Sequence, residues 1–276
     1  MPTALVLAAA VERLEAAIPL GLAESWDNVG LLVEPLEPRP VSTVVLTIDL
    51  TEAVLEEAAS AGAELIVAYH PLIFAKLTRV TRRTAIERVV QAALAHRIAV
   101  WSPHTALDAL PGGVNDWLAD GLGEGEREPL APLAGRPEAG QGRRLTLAAP
   151  APVGELADRL AAHLGVAELR VAAAARHTAG EPVSRIALCA GAGGGVLERV
   201  GGVDLVVSGE LRHHDVLARV ADGTSVFVCD HTGSERGYLP RLAARVAAEL
   251  PGARVLVAAR DAAPLRTRVA VVGAGG

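Results

Sequence analysis

An α/β fold with mostly parallel sheets and flanking helices is predicted by three observations. Short β-branched runs alternate with amphipathic stretches along the chain. A Gly/Pro-rich interval without periodicity, 123–142, divides that alternation into two sections. Several apolar runs end in polar, metal-ligand-type residues, and open parallel sheets bind ligands outside the carboxyl ends of their strands.

The first section opens with Leu7, Val11, Leu14 and Ile18 at helical spacing, so 5–18 reads as an amphipathic helix. The β-branched run 41–49 reads as a strand ending in Asp49. A helix over 51–61 follows, with Thr51 as its N-cap. The run 65–68 is a second strand, ending at Tyr69-His70-Pro71. A helix over 84–96 leads to a third strand, 98–101, and then to Ser102-Pro103-His104. The loop 103–113 looks too turn-prone for a regular helix, and 114–122 is helical. In the second section, 154–164 is a helix and 184–190 a strand that runs into glycines at 191–195. Strands over 203–207 and 225–229 end near Glu210 and His231, and His213 and His214 fall on a helix after Glu210. A helix over 240–250 and a strand over 255–258 complete the chain.

Hydrophobic residues make up 51% of the 276 and charged residues 21%, enough to bury a sizeable core and to disfavour disorder. The formal net charge of −6, with no run of like charge, argues against a nucleic-acid footprint. No secretory signal is evident, and no uncharged apolar stretch reaches the ~18 residues a membrane span needs. A cytoplasmic location without membrane contact is therefore expected. Cys189 and Cys229 each end a strand and form no C-x-x-C pair, which disfavours a thiolate zinc site.

The chemistry concentrates at the strand ends. His231 and Glu235 lie four residues apart, and imidazole with carboxylate suits Zn, Fe or Mn. Taken alone, the pair also reads as a core histidine and a solvated glutamate around a capping Ser234. His104 and Asp108 repeat the spacing after another strand. Asp108 is either a ligand or a turn cap, and His104 a ligand or the group that orients one. His70 is held at a strand end by the extended backbone before Pro71, with Tyr69 as a neighbouring donor or weak ligand. The glycines at 191–195 form either a phosphate cradle or a tight turn. Nucleophile-elbow and Walker-type loops are both missing. Metal-assisted hydrolysis is the chemistry that remains, at one ion or at two about 3.5–4 Å apart.

The segments SWDNVGLLVEP (25–35), LTIDLTEAVLEEA (46–58), AYHPLIF (68–74), SPHTALDALPGGVNDWLA (102–119), SGELRHHDVLA (208–218) and HTGSERG (231–237) together resemble the Nif-three-like family. Its bacterial members are often labelled GTP cyclohydrolase 1 type 2 homologues. The Tyr-His-Pro form is closer to the animal-type branch. The resemblance implies a two-lobed α/β fold, assembled into a toroidal hexamer, with a dinuclear metal centre between the lobes. Residues 1–125 and 245–276 would form the first lobe, 140–244 the second, and 126–139 a linker. By motif, one firm metal position would take His70, Asp108 and Glu235. A weaker one would take His231 and the shared Glu235, because Tyr69 stands where many members carry a second histidine. Asp27, Asn28, Tyr69 and His214 are accessory candidates, and His104 or Glu210 would move the proton. From the ligand set and the glycine run near a strand end, the expected activity is hydrolysis of a nucleotide or related phosphate-bearing small molecule. The alternative is a non-catalytic metal-stabilised scaffold or a transcription-related binding protein.

Overall fold

Thr43–Thr47 is apolar or β-branched throughout and buried along its whole length, as a strand covered on both faces must be. The computed structural model, which describes residues 4–265, places it inside a five-stranded sheet. The strand order is Gly30–Val33, Ala99–Ser102, Leu65–Ala68, Thr43–Thr47, Arg254–Val257. All neighbours are parallel except the first, which pairs antiparallel at the edge. Alternate residues serve opposite faces. Val45, Ile66 and Val100 pack under the helices Glu52–Ser60 and Ala85–Ala95. Val44, Leu46, Leu65 and Trp101 face the helices Leu7–Ala17 and Leu239–Glu249. The expected Thr51 cap forms: its hydroxyl accepts from the Val54 N–H at 3.3 Å.

A second sheet holds six strands in the order Gly125–Glu128, Arg143–Ala151, Val183–Cys189, Leu205–Ser208, Ser225–Val228, Arg170–Ala172. Its three central-to-outer strands Val183–Cys189, Leu205–Ser208 and Ser225–Val228 are parallel, and the remainder pair antiparallel. Leu145, Leu188, Val207 and Phe227 join the same core as Trp101 and Leu107, so one continuous apolar interior runs between the two sheets.

Four readings need correction. The stretch 126–139 is not a linker. Gly125–Glu128 is an edge strand of the second sheet, and Ala131–Leu133 pairs with Arg136–Gln141 in a hairpin. Gly125–Glu128 is charged and exposed, and the two short hairpin strands each contain a proline, so periodicity could not reveal them. The chain rejoins the first sheet through Leu239–Glu249, at 239 rather than 245, because this helix packs from its start on Leu7–Ala17 and on the strands Arg254–Val257 and Thr43–Thr47. The part of that lobe expected at 266–276 lies outside the described residues. The loop 103–113 contains a short helix, His104–Ala109, whose Ala and Leu residues favour helix before Pro111 ends it. The edge strand Gly30–Val33 also went unread, and a bulge between Leu31 and Val33 breaks its alternation. Among the described residues no helix is long and apolar enough to cross a membrane.

Candidate metal centre

The carboxyl ends of parallel strands from both sheets meet in one cleft. From the first sheet, Thr43–Thr47 delivers Asp49, Leu65–Ala68 delivers His70 and Ala99–Ser102 delivers His104. The second sheet contributes Gly191 after Val183–Cys189, Glu210 after Leu205–Ser208 and His231 after Ser225–Val228. The backbone N–H groups of Tyr69 and His70 bond to the carbonyls of Thr47 and Ile48, extending the sheet pattern past the strand end.

His70, His231 and Glu235 form the cluster, with their ligand atoms all within 4.8 Å of one another. Glu235 sits between the two rings, Oε2 at 3.4 Å from His70 Nε2 and Oε1 at 3.4 Å from His231 Nε2. Behind each ring stands another carboxylate: Asp49 Oδ1 lies 2.9 Å from His70 Nδ1, and Glu210 Oε1 lies 3.1 Å from His231 Nδ1. A carboxylate only accepts, so each Nδ1 carries the hydrogen and each Nε2 is directed at Glu235. This is the carboxylate–histidine arrangement that orients metal-binding imidazoles. Burial alone would lower the His70 pKa, but the Asp49 and Glu235 carboxylates outweigh it and hold it up at about 10.

Two observations show that the residues fit a divalent cation. Glu235 is buried, and its Oε2 makes no hydrogen bond and faces only His70 Nε2 at 3.4 Å, so a cation taking the place of the imidazole proton would compensate its charge. Gly191 adopts φ +60°, and a Cβ there would stand 2.5 Å from Glu235 Oε1 and 3.3 Å from His231 Nε2. The space beside these donors thus depends on a residue without a side chain. Imidazole nitrogens with a carboxylate suit Zn, Fe or Mn. Burial pushes the nearby Cys189 thiol strongly upward, which keeps it protonated.

Other candidate residues take different places. Asp108 lines the cleft but does not join the three-residue cluster. It accepts a 2.5 Å hydrogen bond from the Tyr69 hydroxyl. Burial pushes its carboxyl up to about 6, against that hydrogen bond, and the Glu235 charge adds to the rise. Tyr69 is buried, and its own pKa is driven well above the usual phenol value by that burial and by Asp108. Its hydroxyl is the donor that holds Asp108. Glu210 stands behind His231, where it orients the ring. Asp27 and Asn28 are not beside the cluster either. Asp27 accepts from His104 Nδ1 at 2.8 Å and from the Thr105 N–H at 3.1 Å. The Asn28 side-chain amide donates to the Ile73 carbonyl at 2.5 Å. His214 is exposed on the helix His213–Ala221 and does not line the cleft.

The His231–Glu235 spacing works without a continuous helix. Two short 3-10 turns, Thr232–Ser234 and Arg236–Tyr238, carry the segment. Ser234 is not an N-cap. Its hydroxyl bridges the two loops, donating to the His231 carbonyl and accepting from the Gly191 N–H. The N–H of Gly193 similarly bonds to the Ser208 hydroxyl, so the glycine run is a turn with part of its amide surface already used. His104 (φ +30°) and Asp230 (φ +63°) hold left-handed backbone, a strained conformation that clusters at functional sites. The site residues that spacing alone did not mark are Asp49, Gly191 and Arg236. Arg236 lies 3.6 Å from the Asp49 carboxylate and pairs with Asp261. The signal for Asp49 was its place at a strand end, and for Gly191 its place in the glycine run.

The family described as Duf34/NIF3 (NGG1p interacting factor 3) matches residues 6–264. The chain is 42% identical to NIF3-like protein 1 of Drosophila melanogaster over 233 residues, 84% of this chain and 79% of the fly protein. It is 42% identical to the NIF3 homolog of Schizosaccharomyces pombe over 259 residues, 89% of this chain and 92% of the yeast protein. Among solved structures, a Bacillus cereus protein related to NIF3 superposes with a TM-score of 0.83 at 20% identity, covering 97% of this chain and all of that one. With the family matched over residues 6–264, and with animal and fungal relatives at this identity, the chain belongs to the Duf34/NIF3 family.

Proposed function

We propose that the chain is a metal-dependent hydrolase acting on a nucleotide or related phosphate-bearing small molecule. One observation carries the reading: two carboxylate-backed histidines converge on a buried glutamate whose Oε2 makes no hydrogen bond, in the lining of a cleft of about 930 Å³. That volume suits a small-molecule site. His70, His231 and Glu235 would hold the cation, and Asp108 is the further donor we assign from the same cleft. A divalent cation supplies Lewis-acid polarisation and acidifies water at neutral pH.

The chain's own groups supply the rest. His104 lines the cleft with Nδ1 held by Asp27, which leaves Nε2 to exchange a proton with a substrate atom. Glu210 fixes the tautomer of His231 and is a positioning residue. Arg144 and Arg199 line the same cleft and offer cations to a phosphate. A second cation between His231 and Glu235, and assembly into a ring-shaped hexamer, belong to this reading. Metal analysis and sedimentation velocity test them.

The decisive experiment is a panel of nucleotides and phosphoesters with Mn, Fe, Co and Zn. Turnover that disappears in Asp108→Ala is the expected result. Stoichiometric metal binding without turnover on any substrate would overturn the hydrolase and leave a metal-stabilised binding protein.

A further inference from the structure

The chain has three Trp, two Tyr and two Phe. Trp101, Trp117, Tyr69, Tyr238 and Phe227 are all 5% exposed or less. The two exceptions are Trp26, 61% exposed, and Phe74, 60% exposed, and both line the mouth of the metal cleft. A chain this poor in aromatics, which buries all the others, leaves these two open side by side at one place.

Their setting is built. Trp26 and Phe74 meet edge to face with ring centroids 6.0 Å apart. His104 packs against both, with its centroid 6.2 Å from each. His104 in turn lies 5.5 Å from the metal-cluster ring of His70. The two supporting loops are anchored to each other and to the site. Asp27, next to Trp26, accepts from His104 and Thr105, and the Glu24 N–H bonds to the Thr105 hydroxyl at 3.0 Å. The Asn28 amide donates to the carbonyl of Ile73, next to Phe74. The rings are therefore held open before any ligand arrives, which reduces the ordering cost of binding. Asp27 and Asn28 thus build this mouth and take no place among the ligand atoms of the cluster.

An aromatic face held open beside a polar, metal-binding floor suits a planar ring that stacks on it. The cleft also supplies charge. Arg199 pairs with no carboxylate among the described residues, and Arg144 reaches only the exposed Glu128, at 3.4 Å. We propose that Trp26 and Phe74 form a stacking subsite for a planar heteroaromatic ring such as a nucleobase, in a ligand whose anionic group faces Arg144 and Arg199. This inference rests on the phosphate-bearing substrate proposed above and specifies the other end of the molecule. The ring lies next to His104, and the remainder of the ligand extends toward His70 and Glu235.

Calorimetric titration of the metal-loaded protein with the four common ribonucleoside monophosphates, their nucleosides and ribose 5-phosphate tests it. Trp26 also reports directly, since Trp101 and Trp117 are buried and quenching by a stacked base reads the exposed indole. At least one monophosphate should bind about tenfold or more tighter than ribose 5-phosphate, in line with base stacking on aromatics. Trp26→Ala and Phe74→Ala should each erase that margin while metal content stays unchanged. Equal binding of monophosphates and ribose 5-phosphate, or a margin that survives both variants, overturns the stacking subsite and leaves the phosphate reading standing. Nucleosides that bind as tightly as their monophosphates, with Trp26→Ala sensitivity, keep the subsite and remove the phosphate. If none of the probes binds, both fall.

Discussion

His70 and His231 present the same atom to the same glutamate at the same distance, from opposite sheets, yet they are held differently. His70 continues a parallel strand pair, and its N–H still bonds to the neighbouring strand. Its side chain is 22% exposed, and the supporting Asp49 is also near Arg236. His231 follows the left-handed Asp230 on a chain of 3-10 turns. Its side chain is 35% exposed, and its support, Glu210, is 58% exposed. Ion pairs open to water contribute little, whereas partly buried ones couple strongly. The same donor set is therefore tightly constrained on the first-sheet side and solvated on the other. Affinity should depend on the first arm, and adjustment should occur on the second.

The largest effect should come from the group both arms share. Glu235→Gln keeps the side-chain shape and removes the charge that both Nε2 atoms face. Metal affinity should fall by more than the 10–100-fold typical of losing an outer partner. Metal analysis after equilibrium dialysis reads this, and a full complement in the variant would remove Glu235 from the site. The next effect separates the arms. Asp49→Asn should cost metal affinity about 10–100-fold, and Glu210→Gln only a few-fold, because water already competes for the latter. Equal losses in competitive metal titrations would show that the difference in burial has no consequence.

The third effect is pH-dependent, and its sign follows from the raised pKa values. Without metal, the folded protein holds a proton on His70 up to about 10 and on Asp108 up to about 6, above their ordinary values of 6.5 and 3.8. The stability this provides is complete below the ordinary values and is lost as pH rises through the folded ones. A cation competes with those protons, so binding tightens as they leave. The rise in Tm on adding metal should therefore grow from about pH 6 to about pH 9. It should reach roughly 5–10 °C at a metal concentration about a hundredfold above Kd. Asp49→Asn should flatten this growth and Glu210→Gln should leave it intact. A metal effect that shrinks with rising pH in differential scanning calorimetry would contradict the proton competition.

The two arms also differ in how readable they were. His70 is legible because β-branched residues, a short apolar run and Pro71 together mark a strand end. His231 and Glu235 are legible because the residue types and their spacing suit a metal, even though 3-10 turns and not a helix realise the spacing. Asp108 shows the limit of that reasoning. It has the same four-residue spacing from His104, but its hydrogen bond goes to Tyr69, a partner chosen by how two strands of the first sheet lie together. Gly191 could be read as a turn, but its close approach to Glu235 exists only once the two loops meet through Ser234. The parallel strands of both lobes were visible for the same reason that the strands over 125–141 were not. Burial on both faces writes a continuous apolar run, whereas the charged edge Gly125–Glu128 and the short proline-containing hairpin strands write no pattern.

The smallest effect should come from Tyr69, whose ring packs against His70 but whose hydroxyl bonds to Asp108 and to no ligand atom of either arm. Tyr69→Phe removes the hydroxyl that donates to Asp108 and leaves a carboxylate in the cleft short of a partner. Stability of the metal-free protein should fall by about 1–3 kcal/mol, the cost of an unsatisfied buried acceptor. The hydrogen bond also lowers the Asp108 pKa, so its loss lets that carboxyl rise further above about 6. Near pH 6 the variant then holds a proton where the assigned donor should meet the cation, and metal affinity drops a few-fold. Near pH 9 Asp108 is ionised in both proteins, and the two affinities should coincide. A loss that persists at about pH 9 would make Tyr69 a participant in metal binding in its own right. An affinity unchanged at both values would separate Asp108 from the cation altogether and leave the site to the two histidine arms and Glu235.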